Sequence, residues 1–169
     1  MKKWITVCLL GALLLGLAGC GNQKKTEMQG SVQLANPYVT LESEEEMEAQ
    51  AGLEVSLPEA LPQWVEETIY RAMPGKLAEI IYAGGSNEIR VRIAEGSEDI
   101  SGVYDSDIRE VRELEQGDRT LHVKSSTGEA GESLVYGITW NTPEGRTYSV
   151  TSPEGVPEDI MLAVAAEVK

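Results

Sequence analysis

Two cysteines and one histidine are all the thiol and imidazole chemistry that the 169-residue sequence carries. Cys8 sits inside an apolar N-terminal run, and Cys20 closes that run directly after Leu17-Ala18-Gly19. Small Ala18 and Gly19 suit the narrow groove of a peptidase, and Cys20 supplies a nucleophilic sulfur. From Gly21 to Lys169 there is no cysteine, which excludes a disulfide framework or a Cys-based zinc site in the body of the chain. A Ser-His-Asp arrangement would have to use His122. Strand alternation with Leu121 and Val123 places it beside Thr120 and Lys124 on a wet face, and no Gly-x-Ser-x-Gly elbow occurs.

Carboxylates are abundant, so any single pair of them carries little information about glycoside cleavage. Glu95, Glu98, Asp99, Asp105 and Asp107 gather in one segment, and calcium takes several oxygen ligands. Counted as an EF-hand from Asp105, that segment has Arg109 at position five, Glu110 where glycine is required and Gln116 at position twelve. The expectation is a solvated acidic loop, with a non-standard calcium site left open. No catalytic residue, metal ligand or cofactor is expected.

The charge balance narrows the partners. Lys and Arg number 14 against 28 Asp and Glu, a net charge of −14. Loss of residues 1–19 would remove Lys2 and Lys3 and leave −16. Such a body repels phosphate backbones, so no nucleic-acid partner is expected. Hydrophobic residues make up 41%, enough for one packed domain rather than a disordered chain.

The N-terminus reads as an address. A basic Met1-Lys2-Lys3 start precedes Trp4 to Gly19, which is free of charge, the layout of a secretory signal. Its sixteen residues fall short of the ~20 that a helix needs to cross a bilayer. Leu17-Ala18-Gly19-Cys20 resembles the lipobox of bacterial lipoproteins. The resemblance implies a diacylglyceryl thioether on Cys20, cleavage between Gly19 and Cys20, and residence at the extracytoplasmic face of a cell membrane. Gly21 to Asn36 is polar and aperiodic, a flexible tether of roughly 20–25 Å root-mean-square span. The expected organisation is a signal peptide over 1–19, lipidated Cys20 and tether over 20–36, and one domain over 37–169.

Within that domain Ser43-Glu44-Glu45-Glu46 opens a helix that Gly52 ends, with Glu46 completing a capping box. Strand patterns follow over Val65 to Met73, Leu77 to Ala83 and Glu88 to Ala94. The last two flank the hairpin signal Gly84-Gly85-Ser86-Asn87. Ile89, Val91 and Ile93 point one way, and Glu88, Arg90 and Arg92 point to a wet face. Ile108 to Glu115 fits helix or strand, and Gln116-Gly117-Asp118 favours pairing with Thr120 to Lys124. A further hairpin joins Ser133–Trp140 to Thr147–Thr151, with Leu134, Tyr136, Ile138 and Trp140 on one face. Pro157 to Val168 forms an amphipathic helix whose stripe is Ile160, Met161, Val164, Ala165 and Val168. The fold class is therefore α+β: an antiparallel meander of six or seven strands, a short N-terminal helix, and a C-terminal helix packed on the sheet.

Several short stretches carry a wider likeness. Asn36-Pro37-Tyr38, Ser43-x-Glu45-Glu46, Val55-x-Leu57-Pro58 and Leu61-Pro62 come first. Ile89-Arg90-Val91-Arg92, Asp99-Ile100-Ser101-Gly102-Val103-Tyr104, Trp140 and Tyr148-Ser149-Val150 follow. In this order they resemble a family of uncharacterised secreted and lipid-anchored bacterial proteins, catalogued as domain of unknown function 4367. The likeness runs from about Asn36 to Val168 and implies fold and envelope location. It supplies no catalytic residue.

Arg90, Arg92, His122 and Lys124 could share the wet sheet face and accept an acidic peptide or anionic glycan, or could pair across strands with glutamates. Trp64, Trp140, Tyr136 and Tyr148 could line a groove or belong to the core. The expected function is a non-enzymatic, membrane-anchored envelope domain that binds or senses an envelope protein or glycan. The alternatives are a carrier of a lipid or other hydrophobic ligand and a small hydrolase.

Overall fold

A computed structural model describes residues 36–103, 108, 110–128 and 130–169. Eight strands and two helices account for them: β1 (Val39–Leu41), α1 (Glu44–Ala51), β2 (Glu67–Met73), β3 (Leu77–Gly84), β4 (Asn87–Glu95), β5 (Glu110–Gln116), β6 (Arg119–Thr127), β7 (Ser133–Asn141), β8 (Arg146–Pro157) and α2 (Glu158–Glu167). The strands form one antiparallel sheet in the order β1-β2-β3-β4-β8-β7-β6-β5. It is thus two four-stranded meanders joined along β4 and β8. The α+β class is as expected, but the strand count is eight rather than six or seven. The additional strand is β1, whose three residues are too few for periodicity to register. It exists because β2 offers an open edge: Val39, Thr40 and Leu41 pair with Ala72, Arg71 and Tyr70.

The ambiguous segment after Ile108 resolves as strand β5, since Glu110 to Gln116 pair in register with Ser125 to Arg119 across the Gly117 turn. Its outer edge exposes Val111 at 64%.

One face of the sheet carries the core. Ile80, Val91, Val150, Ile138 and Val123 lie side by side along one rung and are fully buried. Met161, Val164, Ala165 and Val168 of the C-terminal segment and Met47 and Ala51 of α1 close over that face. Each of the larger ones, Met161, Val164, Val168 and Met47, contributes about 1.5–3 kcal/mol by burial. An eight-residue helix such as α1 needs this packing, because short isolated helices are marginal in water. Ser43 caps it by accepting from Glu46 N, and Gly52 ends it in the left-handed region at φ 73°. The Glu46 carboxylate reaches back to Glu42 N rather than Ser43 N, so the expected capping box is shifted by one residue.

Strand β7 corrects a second expectation. The pairing of β7 with β8 slips between Val135 and Gly137, where four residues of β8, Ser152 to Gly155, stand opposite the single Tyr136. Beyond that bulge, Val135 joins Ile138 and Trp140 in the core. Tyr136 goes to the opposite face, beside Arg90 and Arg92. Simple alternation over Leu134, Tyr136, Ile138 and Trp140 therefore fails at the bulge.

Candidate functional site

The face away from the helices holds most of the charged chemistry. Register places Thr40, Arg71, Glu79, Arg92, Ser149, Thr139, His122 and Glu113 on a single rung that crosses all eight strands. The neighbouring rung runs Ile69, Ile81, Arg90, Thr151, Gly137, Lys124 and Val111. Arg90, Arg92, His122 and Lys124 do share one face, as expected. Strands β8 and β7 separate the two arginines from His122 and Lys124, a gap of about 14 Å at normal strand spacing.

That gap is floored by small side chains, and the chain following Glu95 lies over it. Strand β4 is central and β5 is the far edge, so the connection must cross three strands. Its described part, residues 96–103, lies on the polar face, fastened at several points. Arg92 Nη1 donates to the carbonyls of Ile100 and Ser101, at 3.0 and 2.5 Å. Lys124 Nζ donates to Val103 O at 3.2 Å and Asp99 Oδ2 at 3.3 Å. Thr147 Oγ1 donates to Gly96 O at 2.5 Å. Val103 rests over Gly137, where an added Cβ would already touch its methyl at 3.4 Å.

The wet face expected for Arg92 is thereby corrected: Arg92 is only 9% exposed. Its partner Glu79 is 1% exposed and accepts from Arg92 Nε at 2.7 Å, while Arg71 Nε stands 3.1 Å from its other oxygen. A buried carboxylate is tolerable only with such compensation. Tyr38 stacks on the Arg71 guanidinium at 4.3 Å. Burial, and then the Glu79 charge, push the Tyr38 hydroxyl above its ordinary value. Arg90 pairs with Glu88 on its own strand. His122 lies 3.6 Å from Glu113, both well exposed, an ordinary cross-strand surface pair. The cations thus hold the crossing loop and neighbouring carboxylates.

Gly102 is the tightest point of this arrangement. Its φ is +65°, and an added Cβ would lie 2.9 Å from Arg92 Nη1. Gly102→Ala is expected to destabilise the domain by about 1–3 kcal/mol, from left-handed strain and displacement of the guanidinium. Urea unfolding measures this; an unchanged midpoint would refute the account.

Asp99 fastens the outer side of the loop. Burial raises its pKa, but hydrogen bonds from Ser101 and Lys124 outweigh that and hold it below the ordinary aspartate value. A depressed carboxylate stabilises the fold above its unfolded pKa and loses that contribution as pH falls through the folded one. Backbone amides of the loop are expected to lose protection, relative to their intrinsic exchange rates, once pH drops below about 4, and Asp99→Asn should blunt that step. Hydrogen exchange across residues 96–103 reads both.

Of the acidic segment proposed for calcium, Glu95, Glu98 and Asp99 are described, whereas Asp105 and Asp107 are not. Among the described residues no group of three or more His, Cys, Asp or Glu converges as a metal site would require. Leu17, Ala18, Gly19 and Cys20, the lipidation and cleavage site read from sequence, lie outside the described residues.

Several open clefts mark the surface of the described residues. One of about 400 Å³ lies on the polar face between Arg90, Tyr136, Thr151 and the loop at Ser101–Val103. A larger one of about 690 Å³ opens at the other end of the sheet, among Arg119, Trp140, Asn141, Arg146 and Tyr148. There Trp140 and Tyr148 stack at 5.2 Å and 6°, with the Arg119 guanidinium 5.2 Å from the indole. Both rings are nearly fully buried. Both belong to the core cluster and also form part of the lining of this cleft. A third cleft, between Trp64 and α2, measures about 260 Å³.

Sequence reasoning missed Glu79 and Arg119. A lone carboxylate in the apolar strand Leu77 to Ala83 is itself a signal of a buried partner. Arg119 gives no such signal, because its partners are backbone carbonyls 46 to 49 residues away. No family model, curated protein or solved structure matches this chain.

Proposed function

We propose that this chain is a lipid-anchored envelope protein whose domain binds a macromolecular partner at its surface and performs no catalysis. The observation that carries the binding part is the filled interior. Met161, Ile80, Val91, Ile138 and Trp140 are at most 1% exposed beneath the helices. Among the described residues the clefts at Trp140, Tyr136 and Trp64 are open rather than enclosed apolar chambers of the kind that a lipid carrier would use. Among the described residues the most buried carboxylate, Glu79, is paired with two arginines, a poor arrangement for a general acid or base.

The anchoring part rests on Leu17-Ala18-Gly19-Cys20 after an uncharged run, and on the polar stretch Gly21 to Ala35 that precedes exposed Asn36 and Pro37. Two acyl chains on Cys20 would give stable anchoring. They would hold a body of charge −16 near anionic headgroups that otherwise repel it.

Cys20→Ala is expected to abolish incorporation of a radioactive fatty acid and to move the protein out of the membrane fraction. Labelling that persists in this variant would eliminate the anchor. The binding reading is tested by crosslinking in living cells with mass spectrometry. It predicts a reproducible envelope protein or glycan adduct, and turnover of a small substrate by the purified chain would replace it with an enzymatic role.

A further inference from the structure

The third cleft has features that specify an occupant. Its floor and walls are Leu61, Pro62, Trp64, Ile160, Ala163 and Val164, contributed by the extended segment ahead of β2 and by one stripe of α2. At about 260 Å³ it falls below the ~300–1,000 Å³ of small-molecule sites and suits one apolar side chain. Only Val164 among these six is fully buried, and Ala163 is exposed.

The two stretches that supply the walls carry only acidic charges, although Arg112, Arg119 and Lys169 reach the ends of α2 from outside them. Residues 59–67 contain Glu59, Glu66 and Glu67, and residues 158–167 contain Glu158, Asp159 and Glu167; neither stretch has a lysine or arginine. Glu59, Glu66, Glu67 and Asp159 are exposed. Glu158 is committed elsewhere, to Arg112 and Ser133.

The groove is also held rigid without a partner. The Glu167 carboxylate accepts from Glu59 N at 2.8 Å and Ala60 N at 3.2 Å, tying the extended wall to the helix. At the other end Trp64 O presses so closely on Gly84 that a Cβ there would lie 1.8 Å away, so only glycine permits the contact. A preformed apolar socket avoids the entropy that an adaptable surface loses on binding.

We propose that this groove docks a basic segment of a protein partner, with one apolar side chain in the socket and lysines or arginines over the carboxylate rim. The proposal rests on the reading of the domain as a binding module and names its surface. An apolar anchor inside a charged rim is the usual anatomy of a protein–protein hot spot. Charge selects among occupants. Anionic lipid headgroups are repelled by the same carboxylates, and a second copy would bring a further −16.

The probe is a fluorescein-labelled peptide, Gly-Lys-Lys-Phe-Lys-Lys-Gly, titrated into the full chain in a neutral detergent and followed by anisotropy. Binding is expected to weaken about tenfold when the peptide phenylalanine becomes alanine, and similarly in Ala163→Trp, which fills the socket from an exposed helix position. It should weaken again as salt rises from about 50 to about 300 mM, and a peptide with Glu in place of Lys should not bind. Circular dichroism confirms that Ala163→Trp remains folded. Binding indifferent to Ala163→Trp overturns the proposal. So does preference for vesicles of phosphatidylglycerol, or self-association that Ala163→Trp abolishes. Crosslinked partners captured in cells through another face would overturn this groove while leaving the binding-module reading in place.

Discussion

Glu79→Ala is expected to be the most damaging single change in the domain, costing about 3–5 kcal/mol, because it strands a buried guanidinium. Glu79 is 1% exposed and bridges Arg92 and Arg71. Arg71 keeps a quarter of its side chain in water and can swing outward. Arg92 cannot do so, since it is covered by the loop whose carbonyls it holds. The loss is comparable with the whole stability of an average domain, about 5–15 kcal/mol, so much of the variant population should be unfolded at 37 °C. Loop 96–103 should become protease-sensitive at the same time, because its anchor has lost its own support. Glu79→Leu combined with Arg92→Met should recover much of the stability, since replacing both partners removes the uncompensated charge. Urea unfolding of the two singles and the double decides the matter. A Glu79→Ala cost under about 1 kcal/mol, or no recovery in the double variant, would contradict the role given to this pair.

The second large effect belongs to Arg119. Its guanidinium donates to the carbonyls of Ala165, Ala166 and Val168 at 3.0–3.2 Å, and lies over Trp140. Helix α2 has no basic residue in its last turn. Arg119, delivered from the start of β6, supplies the cation that helix C-termini favour. Arg119→Ala should cost about 2–4 kcal/mol from three charged hydrogen bonds and one cation–π contact. Arg119→Lys should retain less than half of that, because one ammonium cannot fork across three carbonyls. Hydrogen exchange across Leu162–Val168 should accelerate well beyond the rest of the sheet. Uniform acceleration throughout the domain would show that Arg119 supports the fold globally rather than capping α2.

Local patterns were legible where one physical cause dominated. Ser43 and Gly52 bound α1 because capping and left-handed backbone are choices made within a few residues. The alternation of Ile89, Val91 and Ile93 places β4, and the stripe through Met161, Val164 and Ala165 orients α2, since burial on one face imposes a period. The lone histidine, the absence of cysteine after Cys20 and the acidic composition restrict the available chemistry without reference to any fold.

What required the tertiary structure is everything that depends on partners distant in the chain. Strand β1 exists only because β2 leaves an edge for it. Tyr136 changes face because β8 inserts Ser152 to Gly155 opposite it. Arg92 reads as solvent-facing from alternation alone. It is buried because residues 96–103, following β4, lie over the polar face, on a small-residue floor that includes Gly137, Ser149 and Thr151. Alternation specifies to which side a residue points; the path of the rest of the chain decides whether water is there.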